Sequence, residues 1–198
     1  MTLEELKTEA LQAREEIQEA AAWQRRDVKI YLHWTAGDYN TTYPDYHLCI
    51  TGDGIIHQIM PLTDMASATW RRNSGSVSVA LCCAAGAGEK SLGNYPPTQV
   101  QIETMAQVIA VLAGALQIPI DKDHVLTHGE AADNEDGLST HPVYAWWHDE
   151  CGDGDTRGDL EYLGTDESPV YNPYATDGSR GGDVIRGKAI WYSNQEEA

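Results

Sequence analysis

A chain of 198 residues with a formal net charge of −18 has no basic footprint for a nucleic-acid backbone and nothing to draw it onto an anionic lipid surface. Its length suits one domain, or one domain with extensions, and its 41% hydrophobic content excludes a disordered chain. The four cysteines, Cys49, Cys82, Cys83 and Cys151, form no C-x-x-C pair, which excludes a zinc ribbon or thioredoxin-like motif and suits a reducing compartment.

The N-terminus shows no signal-peptide pattern, and no apolar run reads as a membrane span, so the expectation is a soluble product made in the cytoplasm. Thr2 and Glu5 form a capping box that opens a helix running to about residue 24. Its stripe of Leu3, Leu6, Ala10, Ala13, Ile17 and Ala20 predicts packing on the domain. Arg25-Arg26-Asp27 ends it. Val28, Ile30 and Leu32 then alternate with Lys29, Tyr31 and His33, the period-2 pattern of a half-buried strand. His33 is at the end of that strand, just before a Gly37-containing loop.

Tyr46 to Ile50 reads as a strand, Thr51-Gly52-Asp53-Gly54 as a turn and Ile55 to Ile59 as the return strand of a hairpin. Parity places Tyr46 with Leu48 and Ile50 on one face, and His47 with Cys49 on the other. Pro61 to Gly75 reads as an ordinary surface loop, with Trp70, Arg71 and Arg72 as a basic, aromatic spot. Ser76 to Cys82 has the small, apolar profile of a central strand. Thr98 and Gln101 cap a second helix with the stripe Met105, Val108, Ile109, Leu112 and Leu116, stopped by Pro119. Val125-Leu126-Thr127 is a short strand leading into His128-Gly129-Glu130.

Residues 131 to 158 are irregular and acidic, and a loop of that length inside a domain points to function. Asp153 and Asp155 resemble the start of a calcium loop, but the glutamate position of the EF-hand pattern falls on Gly164. Residues 165 to 198 read as an extension that wraps the domain or reaches a partner. The division predicted is therefore an N-terminal helix over 1–26, a catalytic domain over 27–164 and a C-terminal extension over 165–198.

His33 and His128 are two neutral nitrogen ligands at two strand ends. A zinc hydrolase needs a third protein ligand and an open position for water. Spacing alone leaves Asp149, Asp153, Asp155, Asp159 and Cys151 all available.

The ordered set His33-Trp34-Thr35-Ala36-Gly37, Tyr46-His47 with the Asp53-Gly54 hairpin, Ser76 to Leu81, Thr127-His128-Gly129-Glu130 and Thr156-Arg157-Gly158-Asp159-Leu160 resembles zinc-dependent N-acetylmuramoyl-L-alanine amidases of the amidase-2 group. That group includes phage endolysins and is related to peptidoglycan recognition proteins. The resemblance runs from about Val28 to Leu163. It implies an α/β fold, a central mixed sheet flanked by helices, with zinc in a groove at the strand ends. It further implies His33, His128 and Asp159 as zinc ligands, Cys151 being the alternative third ligand. Arg157 would face the scissile carbonyl and Tyr46 would help position the zinc-bound water. The implied substrate is the lactyl–L-alanine amide of peptidoglycan or of a soluble muropeptide. The absence of a signal peptide then implies action on the cell wall after release through a holin or from a virion, or a recycling role in the cytoplasm.

Three departures stand out. The central-strand glutamate of many relatives is replaced by Ala80, with Glu130 as a substitute base. A histidine that many relatives place before the Trp70 loop falls on Ala68 or Thr69. The stretch from His128 to Asp159 is long and carries Trp146 and Trp147. The alternative from another class is a peptidoglycan-binding module that kept the fold without catalysis, and a third reading is a zinc hydrolase acting on another amide.

Overall fold

Thr2 opens helix α1 (Leu3–Trp23) through the capping box read from the sequence, its hydroxyl accepting the Glu5 N–H while the Glu5 carboxylate accepts the Thr2 N–H. The structure is a computed structural model that describes residues 1–133, 135, 138 and 158–196. Among the described residues five strands follow: β1 (Lys29–Trp34), β2 (Leu48–Ile50), β3 (Ile56–Gln58), β4 (Ser76–Leu81) and β5 (Val125–Thr127). They form one sheet in the order β3-β2-β4-β1-β5. β1 runs parallel to β4 and β5, and β2 parallel to β4. Only β3 is antiparallel, through its hairpin with β2. Helix α2 (Gln99–Leu116) lies between β4 and β5 in sequence, α3 (His128–Ala132) follows β5 at once, and α4 (Gly181–Glu196) is last. The architecture is the mixed α/β sheet flanked by helices that the sequence led us to expect.

One sheet face carries Ile30, Leu32, Leu48, Ile50, Val77, Val79 and Leu81, and these join α1, α2 and α4 in a single core. α1 enters it through Leu6, Ala10, Ala13, Ile17 and Ala21, and α4 through Ile185 and Ala189. Gln101 pins the start of α2 to the sheet. Its amide nitrogen donates to the carbonyls of Ile50 (2.9 Å) and Cys82 (3.0 Å), while its amide oxygen accepts the Thr98 N–H. α2 is long and apolar enough to cross a membrane by length and composition, which corrects the expectation that no run approaches a span. It lies mostly buried between α1 and α4 as the core helix.

Two sequence readings of the strands change. β1 is buried at all six positions rather than half-buried, because its second face is covered too. Tyr31 packs there on Leu126 and Ala131. The strand read from Tyr46 starts only at Leu48, so parity fails at its front end. Tyr46 packs with Cys49, Ala80 and Cys82, opposite Leu48 and Ile50. Residues 165–198, read as an extension, contain the 16-residue α4. Gly181, Gly182 and Gly187 lower its intrinsic propensity, and packing on α2 overrides that.

His47 shows what a structural histidine looks like in this fold. It is fully buried. The Ser78 backbone N–H donates to its Nδ1 (3.0 Å), and its Nε2–H donates to the Asp64 carbonyl (2.9 Å). That pattern requires the neutral ring, and burial pulls its pKa below the ordinary histidine value despite the Asp64 carbonyl. The folded state thus binds fewer protons at His47 than the unfolded state does below about pH 6.5, so stability falls as the pH drops through that value. Thermal melts of metal-free protein between about pH 7.5 and pH 5.5 are expected to show a loss that is smaller in His47→Gln. Equal slopes in the two proteins would remove His47 from the account.

Candidate metal centre

Two strand ends and one turn bring the site together. His33 is the fifth residue of β1, buried, on the sheet face away from the main core and in register with Ala80 of β4. Thr127 ends β5 and caps α3, accepting the Glu130 N–H, so the chain turns sharply and His128 becomes the first helical residue. Asp159 lies in a turn closed by the Glu161 N–H donating to the Gly158 carbonyl (3.0 Å). The next residue, Leu160, holds φ at 60°, a left-handed value a leucine adopts only when packing requires it, and its side chain is fully buried.

Asp159 Oδ2 is 3.3 Å from His128 Nδ1 and 3.5 Å from His33 Nδ1. The ligand atoms of the three residues all lie within 4.8 Å of one another. A tetrahedral zinc site with bonds of about 2.0–2.1 Å separates its ligand atoms by about 3.3 Å; the two Asp159 separations match that spacing, and two imidazoles with one carboxylate are a donor set that suits such an ion. Among the described residues it is the one cluster of three or more such groups able to hold a metal. Burial works to raise the Asp159 pKa, but the hydrogen bonds and charges of His128 and His33 outweigh it and hold the carboxyl well below the usual range. Asp159 therefore stays a carboxylate.

The outer side of His33 was not legible in the sequence. Its Nε2 is 3.2 Å from Thr69 Oγ1. With Nδ1 facing the Asp159 carboxylate, this contact on the opposite ring nitrogen holds the orientation of the imidazole. Thr69 is itself held, its N–H donating to Asn73 Oδ1 (2.7 Å), and the Arg26 guanidinium donates to the carbonyls of Arg71, Arg72 and Ser74. The loop read as ordinary surface is thus a buttress of the site. The place where a histidine was sought holds Thr69.

Tyr46 stands beside His33, with ring centroids 5.2 Å apart, and its hydroxyl donates to the Trp34 carbonyl (3.4 Å). Burial first, and then the Asp159 charge, push its pKa far up, so the phenol remains a protonated donor. Ala80 is buried and offers no carboxylate. Glu130 does not replace it: its two oxygens are taken by the Arg186 guanidinium at 2.7 Å each, and one also accepts the Thr127 N–H. Arg157, Cys151, Trp146, Trp147, Asp149, Asp153 and Asp155 lie outside the described residues.

The family model described as N-acetylmuramoyl-L-alanine amidase matches residues 9–142, a span that includes His33 and His128 and ends before Asp159. Among curated proteins no match is found. Among solved structures, the chain is similar to the endolysin N-acetylmuramoyl-L-alanine amidase LysCS from Clostridium intestinale URNW, at 16% identity over 57% of this chain and 71% of that one, with a TM-score of 0.40. It is similar to the Ph2119 endolysin from the Thermus scotoductus MAT2119 bacteriophage Ph2119, at 19% identity over 63% and 83%, with a TM-score of 0.41.

Proposed function

The chain belongs to the N-acetylmuramoyl-L-alanine amidase family, and from that premise we propose that it is a zinc-dependent hydrolase of the amide between the lactyl group of N-acetylmuramic acid and L-alanine in peptidoglycan. The observation that carries this reading is the convergence of His33 Nδ1, His128 Nδ1 and Asp159 Oδ2. His33, His128 and Asp159 would hold a zinc ion at a net charge of about +1, and the ion would supply Lewis acidity toward the scissile carbonyl and lower the pKa of water to about 7.

The chain's own groups do the rest. With a metal held at Nδ1, the His33 proton would lie on Nε2, where the Thr69 hydroxyl at 3.2 Å would accept it and keep the ring oriented. Tyr46 keeps its proton, and its Oη–H, which rests at 3.4 Å on the Trp34 carbonyl, would turn from there to orient a water at the site. Arg157, two residues before Asp159, supplies the guanidinium that stabilises charge growing on the carbonyl oxygen. Ala80 means that the proton acceptor does not come from β4. The enzyme would reach the wall as a lysin released from the cytoplasm or carried by a virion.

Arg157→Ala is expected to lower kcat by about 100- to 1000-fold with bound zinc unchanged, the usual effect of losing one donor to a developing oxyanion. Muropeptide hydrolysis together with metal analysis reads both. The reaction itself is tested by digesting purified peptidoglycan and identifying products by mass spectrometry. The reading requires stem peptides with new L-alanine amino termini and glycan strands without new reducing ends. Cuts in the glycan or within the stem would overturn it, and zinc-loaded protein that binds but never cuts would leave the binding-module reading in its place.

A further inference from the structure

The segment beyond the family match packs against the turns that carry His128 and Asp159. α4 begins with Gly181-Gly182, and its first turn presses on both turns that carry late ligands. A Cβ at Gly181 would collide with the Leu160 carbonyl oxygen, and one at Gly182 would stand 2.8 Å from both carboxylate oxygens of Glu130. The Gly181 N–H donates to the Glu161 carbonyl (3.0 Å). Two arginines complete the contact. Arg180 grips Glu161 with Nε (2.9 Å) and Nη2 (2.7 Å), and also bonds Glu135. Arg186 grips Glu130 with both Nη atoms and donates to the Val125 carbonyl at the start of β5 (2.9 Å). Glu161 is two residues after Asp159, and Glu130 two after His128. All four charged side chains are buried.

We propose that α4 is a positioning element for the metal centre, in which Arg180 and Arg186 fix the Asp159 turn and the His128 turn at the separation that one metal ion requires. The proposal rests on the zinc reading above. Each turn needs an outside restraint. The first bears a left-handed leucine, and the second is a helix of five residues. A planar guanidinium fork fixes orientation as well as distance, which a lysine or an apolar contact does not. Supporting partners of metal ligands commonly change metal affinity by 10- to 100-fold when removed.

The test measures zinc affinity by chelator competition in the full chain, beside circular dichroism to verify folding. The pair Arg180→Met with Glu161→Met replaces a buried ion pair by apolar side chains, a change that often leaves stability intact. It is expected to weaken zinc binding by about 10- to 100-fold. The pair Arg186→Met with Glu130→Gln keeps an acceptor for the Thr127 N–H and is expected to act in the same direction. The control is Lys188→Met with Glu103→Met, another ion pair of α4 (2.7 Å), made with α2 instead of a ligand-bearing turn. Its zinc affinity is expected to equal that of the parent. Unchanged affinity in both arginine pairs, or an equal loss in the control, would overturn the positioning role. A parent protein that binds no zinc would remove the metal reading itself, and the proposal with it.

Discussion

Asp159→Ala is expected to fold, to lose zinc affinity by more than about 100-fold and to lose amidase activity with it. The bound of 100 is set by what removal of a mere supporting partner can cost, and Asp159 is proposed as a ligand itself. Its carboxylate also carries the only negative charge among the three converging groups, so its loss leaves two imidazoles facing each other with ring centroids 4.8 Å apart. The side chain makes no part of the main core, so the fold has little to lose. Thermal melts read the same event independently. At a zinc concentration about 1000-fold above Kd the parent gains about 4.1 kcal/mol, or roughly 8–16 °C in Tm for a domain of this size. The variant should show no such shift. Asp159→Asn, which keeps the shape and removes the charge, is expected to fall between the two.

The second large effect is on stability. Arg186→Met alone leaves the Glu130 carboxylate buried at 1% exposure without the guanidinium that holds both its oxygens, and it also strips a donor from the Val125 carbonyl. Breaking one side of a buried pair costs about 3–5 kcal/mol, because the remaining charge stays desolvated. For about 200 residues that corresponds to a Tm lower by roughly 6–20 °C. Adding Glu130→Gln removes the stranded charge and should restore most of the loss. A small effect of the single change would mean that Glu130 finds water or another partner.

The two metal-binding histidine candidates were legible because each ends a short apolar strand, a pattern that survives without knowledge of tertiary contacts. Asp159 was not separable by spacing from Asp149, Asp153, Asp155 or Cys151, and entered through resemblance alone. Its turn is defined by Leu160 in the left-handed region and by Gly181 packed against it, and neither leaves a periodic trace. Thr69 could not be read either: a hydroxyl in a loop carries no signal that it will meet an imidazole from a strand 36 residues earlier. α4 escaped because three glycines weaken its local pattern, and its helical state comes from docking on α2 and on the buried glutamates. Glu130 was read for its nearness in sequence to His128, which is what makes it a support for the site in the fold.

The most direct measurement on the central claim is zinc-edge X-ray absorption on the purified, reconstituted protein. One zinc per chain is expected, with two imidazole nitrogens at about 2.0–2.1 Å and oxygen from a carboxylate and water at about 2.0–2.2 Å. A sulfur scatterer at about 2.3 Å would put Cys151 in the place of Asp159, and a protein that retains no zinc would contradict the account.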